Sequence, residues 1–194
     1  MQADFAVELG ADDETLEMPW AASDGGLRYY DLKRHPELLS ELEEAARAPE
    51  LGEFLSKINS PHSPLETAKC DVWSSTEMNP EEEIFDGTHK FGSYIDLFFS
   101  DEAKRFSFPD HEHLAKRLVQ LLQRAPEIKA AGEFLIRRCY YHESEEAPGE
   151  EEIRDGFYIT FYLFGYGKDE VRSRQQWVIG LKLIQSAIRQ LSGK

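Results

Sequence analysis

An eighteen-residue stretch occurs twice in this chain, from Cys70 to Gly87 and from Cys139 to Gly156, and nine of its positions are identical. Each copy carries a strand-like run into an acidic connection that ends in Asp-Gly, a dipeptide that accepts the positive φ angles of a turn. An aromatic run follows each copy. Self-similarity of this kind predicts a duplicated supersecondary unit with pseudo-twofold symmetry, in which Cys70 superposes on Cys139 and Asp86 on Asp155.

The rest of the chain is read around that unit. With 194 residues, one domain that buries a sizeable core is expected. The formal charge of −15 argues against binding to nucleic acid or to anionic lipid, both of which depend on attracting phosphate. Two cysteines make no disulfide framework, no signal sequence opens the chain, and no apolar run is long enough to span a membrane. A reduced, cytoplasmic setting is the expectation. Only the segment from residue 168 onward is basic.

Residues 1–35 read as an acidic N-terminal arm, and residues 36–194 as a single α+β domain with repeats at 66–125 and 133–192. Pro36 opens a helical stripe through Leu38, Leu42 and Ala45. A second stripe, Leu51, Phe54, Leu55 and Ile58, follows Pro49. The period-two alternation about Cys70 predicts a strand, Phe91–Phe99 a second and Lys104–Phe108 a short third. Asp110 then caps a helix whose buried stripe is Leu114, Leu118, Leu121 and Leu122. In the second unit the strands are Phe134–Glu143 and Phe157–Gly167, the latter broken at Gly165-Tyr166-Gly167. Asp169 caps a long helix that buries Trp177, Leu181, Ile184, Ile188 and Leu191. These elements predict an antiparallel sheet with helices on one face, preceded by N-terminal helices.

This order of elements, with small size and acidity, resembles the fold of type III secretion chaperones and related bacterial regulatory proteins. The resemblance covers residues 36–191 in outline. It implies a homodimer that binds other proteins and catalyses nothing.

No constellation for catalysis stands out. His111 and His113, two apart on a helix, point in different directions and cannot share a metal, so they read as exposed polar residues of a first turn. Cys70 and Cys139 read as buried structural thiols. Glu81-Glu82-Glu83 with Asp86, and Glu150-Glu151-Glu152 with Asp155, lack the alternating ligands of a calcium loop and read as solvated connections. No cofactor is implied. The strand Phe157–Phe164 is apolar or aromatic on both faces, so something must cover the second one. The N-terminal helices, a second subunit, or a ligand lying on Tyr94, Asp96, Tyr158, Thr160 and Tyr162 would each do so. The reading that follows is a protein-binding or regulatory homodimer. The alternative is a small-molecule-binding protein or enzyme that uses the Tyr/Asp face.

Overall fold

The structure is a computed structural model that describes residues 1–22, 28–142 and 153–192. Strands β1 (Gln2–Glu8) and β2 (Thr15–Met18) come first, followed by a 3-10 helix at Pro36–Glu41 and helices α1 (Glu43–Arg47) and α2 (Pro49–Ile58). Strand β3 (Leu65–Ser75), a 3-10 helix at Pro80–Phe85, strand β4 (His89–Phe99) and helices α3 (Glu102–Arg105) and α4 (Phe108–Leu122) follow. Strands β5 (Ala130–His142) and β6 (Ile153–Gly167) and helix α5 (Glu170–Ser192) complete the fold. It is α+β, with one six-stranded sheet ordered β1-β5-β6-β4-β3, and β2 continues the β1 edge along β5.

The sheet is mixed, which corrects the antiparallel expectation. Both β1 and β2 run parallel to β5, whereas the other ladders are antiparallel. The segment read as an arm therefore supplies a sheet edge, and helices α1 and α2 lie between strands rather than ahead of them. Phe5 stands opposite Phe134 and Leu16 opposite buried Cys139, so apolar positions of the segment join the sheet's own apolar rows. The expected third strand forms α3 instead. Asp101 accepts a hydrogen bond from the N–H of Ala103, and Ser107 in turn caps α4 by accepting from the N–H of Asp110, a role expected of Asp110 itself.

The pseudo-twofold expectation is also corrected. Asp86 ends the 3-10 helix in the left-handed region at φ 50°. Asp155, by contrast, lies within the β5–β6 ladder opposite Tyr140. Cys70 stands opposite Ile95 and meets the helical layer, while Cys139 clusters with Phe98, Tyr141 and Tyr158 on the other face. Asp-Gly permits a left-handed turn without requiring one, and a long ladder claims the second copy for extended backbone. The acidic connection at 150–152 lies outside the described residues.

Helices α2, α4 and α5 all cover one face. Leu51, Phe54, Leu55 and Ile58 from α2, Leu114, Leu118 and Leu122 from α4, and Trp177, Leu181, Ile184 and Ile188 from α5 are buried there, as the helical spacing predicts. Beneath them lie Ile95, Leu97, Phe134, Ile136, Ile159 and Phe161 of the sheet. The Trp177 indole N–H donates to the hydroxyl of Ser93 at 2.9 Å, which explains a serine with no exposed surface in a central strand. Strand β6 runs through Gly165 to Gly167 instead of breaking there. A Cβ at Gly165 would stand 2.1 Å from the backbone nitrogen of Trp177 and 2.4 Å from the carbonyl oxygen of Ser173. The missing side chain thus lets α5 lie directly on the strand.

Candidate functional site

The sheet face turned away from α2, α4 and α5 carries the five residues singled out above. Register places Tyr94 opposite Tyr162 and Asp96 opposite Thr160 on β4 and β6, with Tyr158 opposite Arg137 on β5. All five share one face, but they do not form one open surface. Asp96, Thr160 and Tyr158 are 3%, 1% and 1% exposed, whereas Tyr94 and Tyr162 are half-buried.

A chain of polar contacts holds the buried part. The Thr160 hydroxyl donates to Asp96 Oδ1 at 2.7 Å and accepts from Arg137 Nη1 at 3.2 Å. Arg137 also donates from Nε to Glu8 at 2.7 Å and from Nη1 to Glu14 at 2.8 Å. Burial pushes the Asp96 carboxyl up to about 7; the Thr160 hydrogen bond opposes that rise and the charge of Glu14 adds to it. Sequence reasoning missed Arg137, Glu8 and Glu14. Arg137 lies between Leu135 and Cys139 on the inward row of β5, and a charged residue in an apolar alternation was the available signal.

Both ends of this face are covered by the chain itself. At one end Leu16, Met18, Trp20, Tyr29 and Phe106 pack on Phe98, Cys139, Tyr141 and Tyr158. At the other end the Phe85 ring stacks on Tyr166 with centroids 4.1 Å apart, and Glu82 accepts from the Tyr166 hydroxyl and from Lys90. The first acidic connection is therefore anchored through Glu82 and Phe85, with its Asn79–Glu82 capping box closed, while Glu81, Glu83 and Asp86 are solvent-exposed as expected. Helix α2 packs with α4 and α5 on the far side, so of the three candidate covers the N-terminal helices do not supply it through α2.

Between the caps lies a strip of half-buried rings, Trp73, Tyr94, Tyr162 and Phe164. Tyr94 and Tyr162 are tilted at a centroid distance of 6.0 Å, Tyr162 and Phe164 lie parallel at 6.4 Å, and the edge of Trp73 meets Phe164 at 5.9 Å. A Cβ at Gly92 would stand 2.7 Å from the Trp73 ring and 3.0 Å from that of Phe164. Glycine at this position is what allows the two rings to converge over β4.

Neither thiol is activated. Burial pushes both Cys70 and Cys139 up to about 12, which leaves them protonated. His111 is buried, not exposed as expected: its Nδ1 lies 2.9 Å from the Ser107 carbonyl and its ring sits edge-on to Phe99 at 4.9 Å. His113 of the same turn is exposed. Among the described residues no group of three or more His, Cys, Asp or Glu is placed to hold a metal ion. No helix among them is long and apolar enough to cross a membrane. Comparison of the chain with protein-family models, with curated proteins and with solved structures gives no match.

Proposed function

We propose that the chain is an acidic protein-binding module of regulatory type that acts as a homodimer, with the aromatic strip of Trp73, Tyr94, Tyr162 and Phe164 as its contact surface. The observation that carries this reading is the strip itself, four neighbouring half-buried rings left between the two capped ends of this face. Contiguous apolar surface exposed on a monomer is unfavourable, and aromatic rings are the side chains that interfaces concentrate at their centres. A second copy presents the same flat rings, and a twofold contact closes the assembly without exposing a fresh patch. The net charge of −15 then repels further copies.

The small-molecule alternative fits the geometry less well. Asp96, Thr160 and Tyr158, which would orient a ligand, are shut in by their own neighbours and leave only Tyr94 and Tyr162 to touch a visitor.

Light scattering across a concentration series tests the dimer. The expected mass is twice the 22.3 kDa of the chain. The double variant Trp73→Ala, Tyr162→Ala is expected to scatter as a monomer with its circular dichroism unchanged, because truncating two central aromatic anchors costs an interface upwards of about 4 kcal/mol. A wild-type monomer at high micromolar concentration would reject the homodimer. A dimer indifferent to the double variant would reject this surface.

A further inference from the structure

At the end of the sheet, beside the cap formed by Met18 and Tyr29, a cleft of about 870 Å³ opens onto both Lys33 and Ser100. These residues are 67 apart in the chain, yet Lys33 Nζ lies 2.5 Å from Ser100 Oγ. The amine also donates to two backbone carbonyls, that of Ser63 at 2.6 Å and that of Leu65 at 3.3 Å. A neutral amine has two N–H donors and one lone pair. As the ammonium, Lys33 donates to both carbonyls and to the Ser100 hydroxyl; on losing a proton it keeps two donors for the carbonyls and turns its lone pair to that hydroxyl.

Ser100 is held for this arrangement. Its N–H donates to the Pro64 carbonyl at 2.9 Å, which fixes the turn at the end of β4, and its hydroxyl accepts from Lys33 and donates to the Ser63 carbonyl at a long 3.5 Å. Both side chains are half-buried and reachable from the cleft. We propose that Ser100 and Lys33 are a nucleophile and general-base pair for acyl transfer, acting on small esters with an aromatic body. The proposal goes beyond the protein-binding reading and uses none of the residues of the aromatic strip.

The chemistry needs no further reactant than water. As Ser100 Oγ forms a bond to the ester carbonyl carbon, its proton passes to Lys33 Nζ; when the bond from that carbon to the leaving oxygen breaks, the proton passes to the leaving alcohol. Water then attacks the acyl-serine, gives its proton to Lys33, and Ser100 regains one as the carboxylic acid departs. Desolvation lowers the Lys33 pKa from its ordinary value, with Glu66 and Asp31 opposing that effect and Arg105 adding to it. Such lowering supplies free amine below the range of an exposed lysine.

The cleft wall fits the substrate class. Tyr29, Phe98, Phe106 and Tyr141 give it an aromatic lining. The Arg105 guanidinium lies 4.9 Å from the Phe98 ring centroid and 5.6 Å from that of Tyr141. Its Nε is committed to the Phe99 carbonyl at 2.7 Å, and one arm lies 3.6 Å from Glu66. Its positive charge lines the same cleft as Ser100, among the charges of Lys33, Arg34, Asp31, Glu66 and Glu102.

Hydrolysis of 4-nitrophenyl acetate by the full chain tests the pair. The expected wild-type rate exceeds that of Ser100→Ala by at least about 100-fold, the usual lower range for a positioned base and nucleophile. It should rise with pH along a single titration that finishes below the pKa of a free lysine, and Lys33→Met should abolish that titration. Equal rates for wild type and Ser100→Ala would overturn the proposal. Because Lys33 also ties two loops together, thermal melts must accompany each variant. Should the variants melt early, fluorophosphonate treatment of the wild-type protein decides the matter by peptide mass: an adduct on Ser100 supports the pair, and an adduct elsewhere or none overturns it.

Discussion

Replacing Asp96 by asparagine should stabilise the protein at pH 8 and leave it almost unchanged near pH 4. In the folded chain the Asp96 carboxyl keeps its proton up to about 7, against an ordinary value of 3.8. Between those values the folded state binds more protons than the unfolded state, so stability falls as pH rises, and the whole penalty stands above the folded value. A shift of roughly three units corresponds to about 4 kcal/mol as a ceiling. That shift is already net of the charged groups that face Asp96, with Lys69 and Arg137 favouring the carboxylate and Glu14 opposing it, and the buried amide that replaces the acid carries a desolvation cost of its own. About 2 kcal/mol is the expected gain for Asp96→Asn at pH 8. The asparagine oxygen would keep the Thr160 hydrogen bond, so the gain isolates the cost of a buried charge. Denaturant melts of both proteins at the two pH values measure it. A variant less stable than wild type at pH 8 would show that Asp96 is held charged by its partners, and that Arg137 reaches it more strongly than through Thr160 alone.

The other large effect expected is the loss of the fold on Gly165→Ala. The new methyl would meet the backbone of α5 at 2.1 Å and 2.4 Å, and backbone cannot turn aside as a side chain can. The helix would have to lift, taking Trp177 away from Ser93 and Phe91. Overpacking against main chain belongs among the few mechanisms that cost more than about 4 kcal/mol, which is much of a domain's marginal stability. Gly180→Ala is the matched control. There the methyl meets Leu163 Cδ1 at 2.8 Å, the far end of a flexible side chain, and alanine returns about 1 kcal/mol of helix propensity. Thermal unfolding should separate the two variants by more than about 10 °C. Similar midpoints for both would mean that α5 can slide on β6.

Where the hydrophobic period was long, the sequence was a good guide to the fold. The stripe Trp177, Leu181, Ile184 and Ile188 and the runs about Cys70 and Phe91 lie where their spacing places them, because burial on one face enforces a single period. The leading strands were legible in principle. Leu16 and Met18 are buried and alternate with exposed Thr15 and Glu17, but four residues is a short run and the acidic setting drew the reading towards an arm. The Asp-Gly repeat misled for a different reason: a local preference for positive φ is worth little against a thirteen-pair antiparallel ladder. Tyr94, Asp96, Tyr158, Thr160 and Tyr162 were correctly assigned to one face, since alternation and register suffice for that. Which of them are shut in and which are open depends on Leu16, Met18 and Tyr29 arriving from distant segments. The meeting of Lys33 with Ser100 has no local signature at all, because it is made by a loop crossing the end of a strand.

Strands β1 and β2 also set the order in which the molecule can be finished. They are translated well ahead of β5, which among the described residues is their one ladder partner, and Glu8 finds Arg137 at a separation of 129 residues. During synthesis the opening segment must wait, unpaired and unable to close a sheet on its own, until more than a hundred further residues have left the ribosome. Its acidic side chains, Asp4, Glu8, Asp12, Asp13, Glu14 and Glu17, keep that waiting stretch hydrated and mutually repelling. The charge that makes the segment look like a tail is thus what lets an early-born edge remain free until its partner exists.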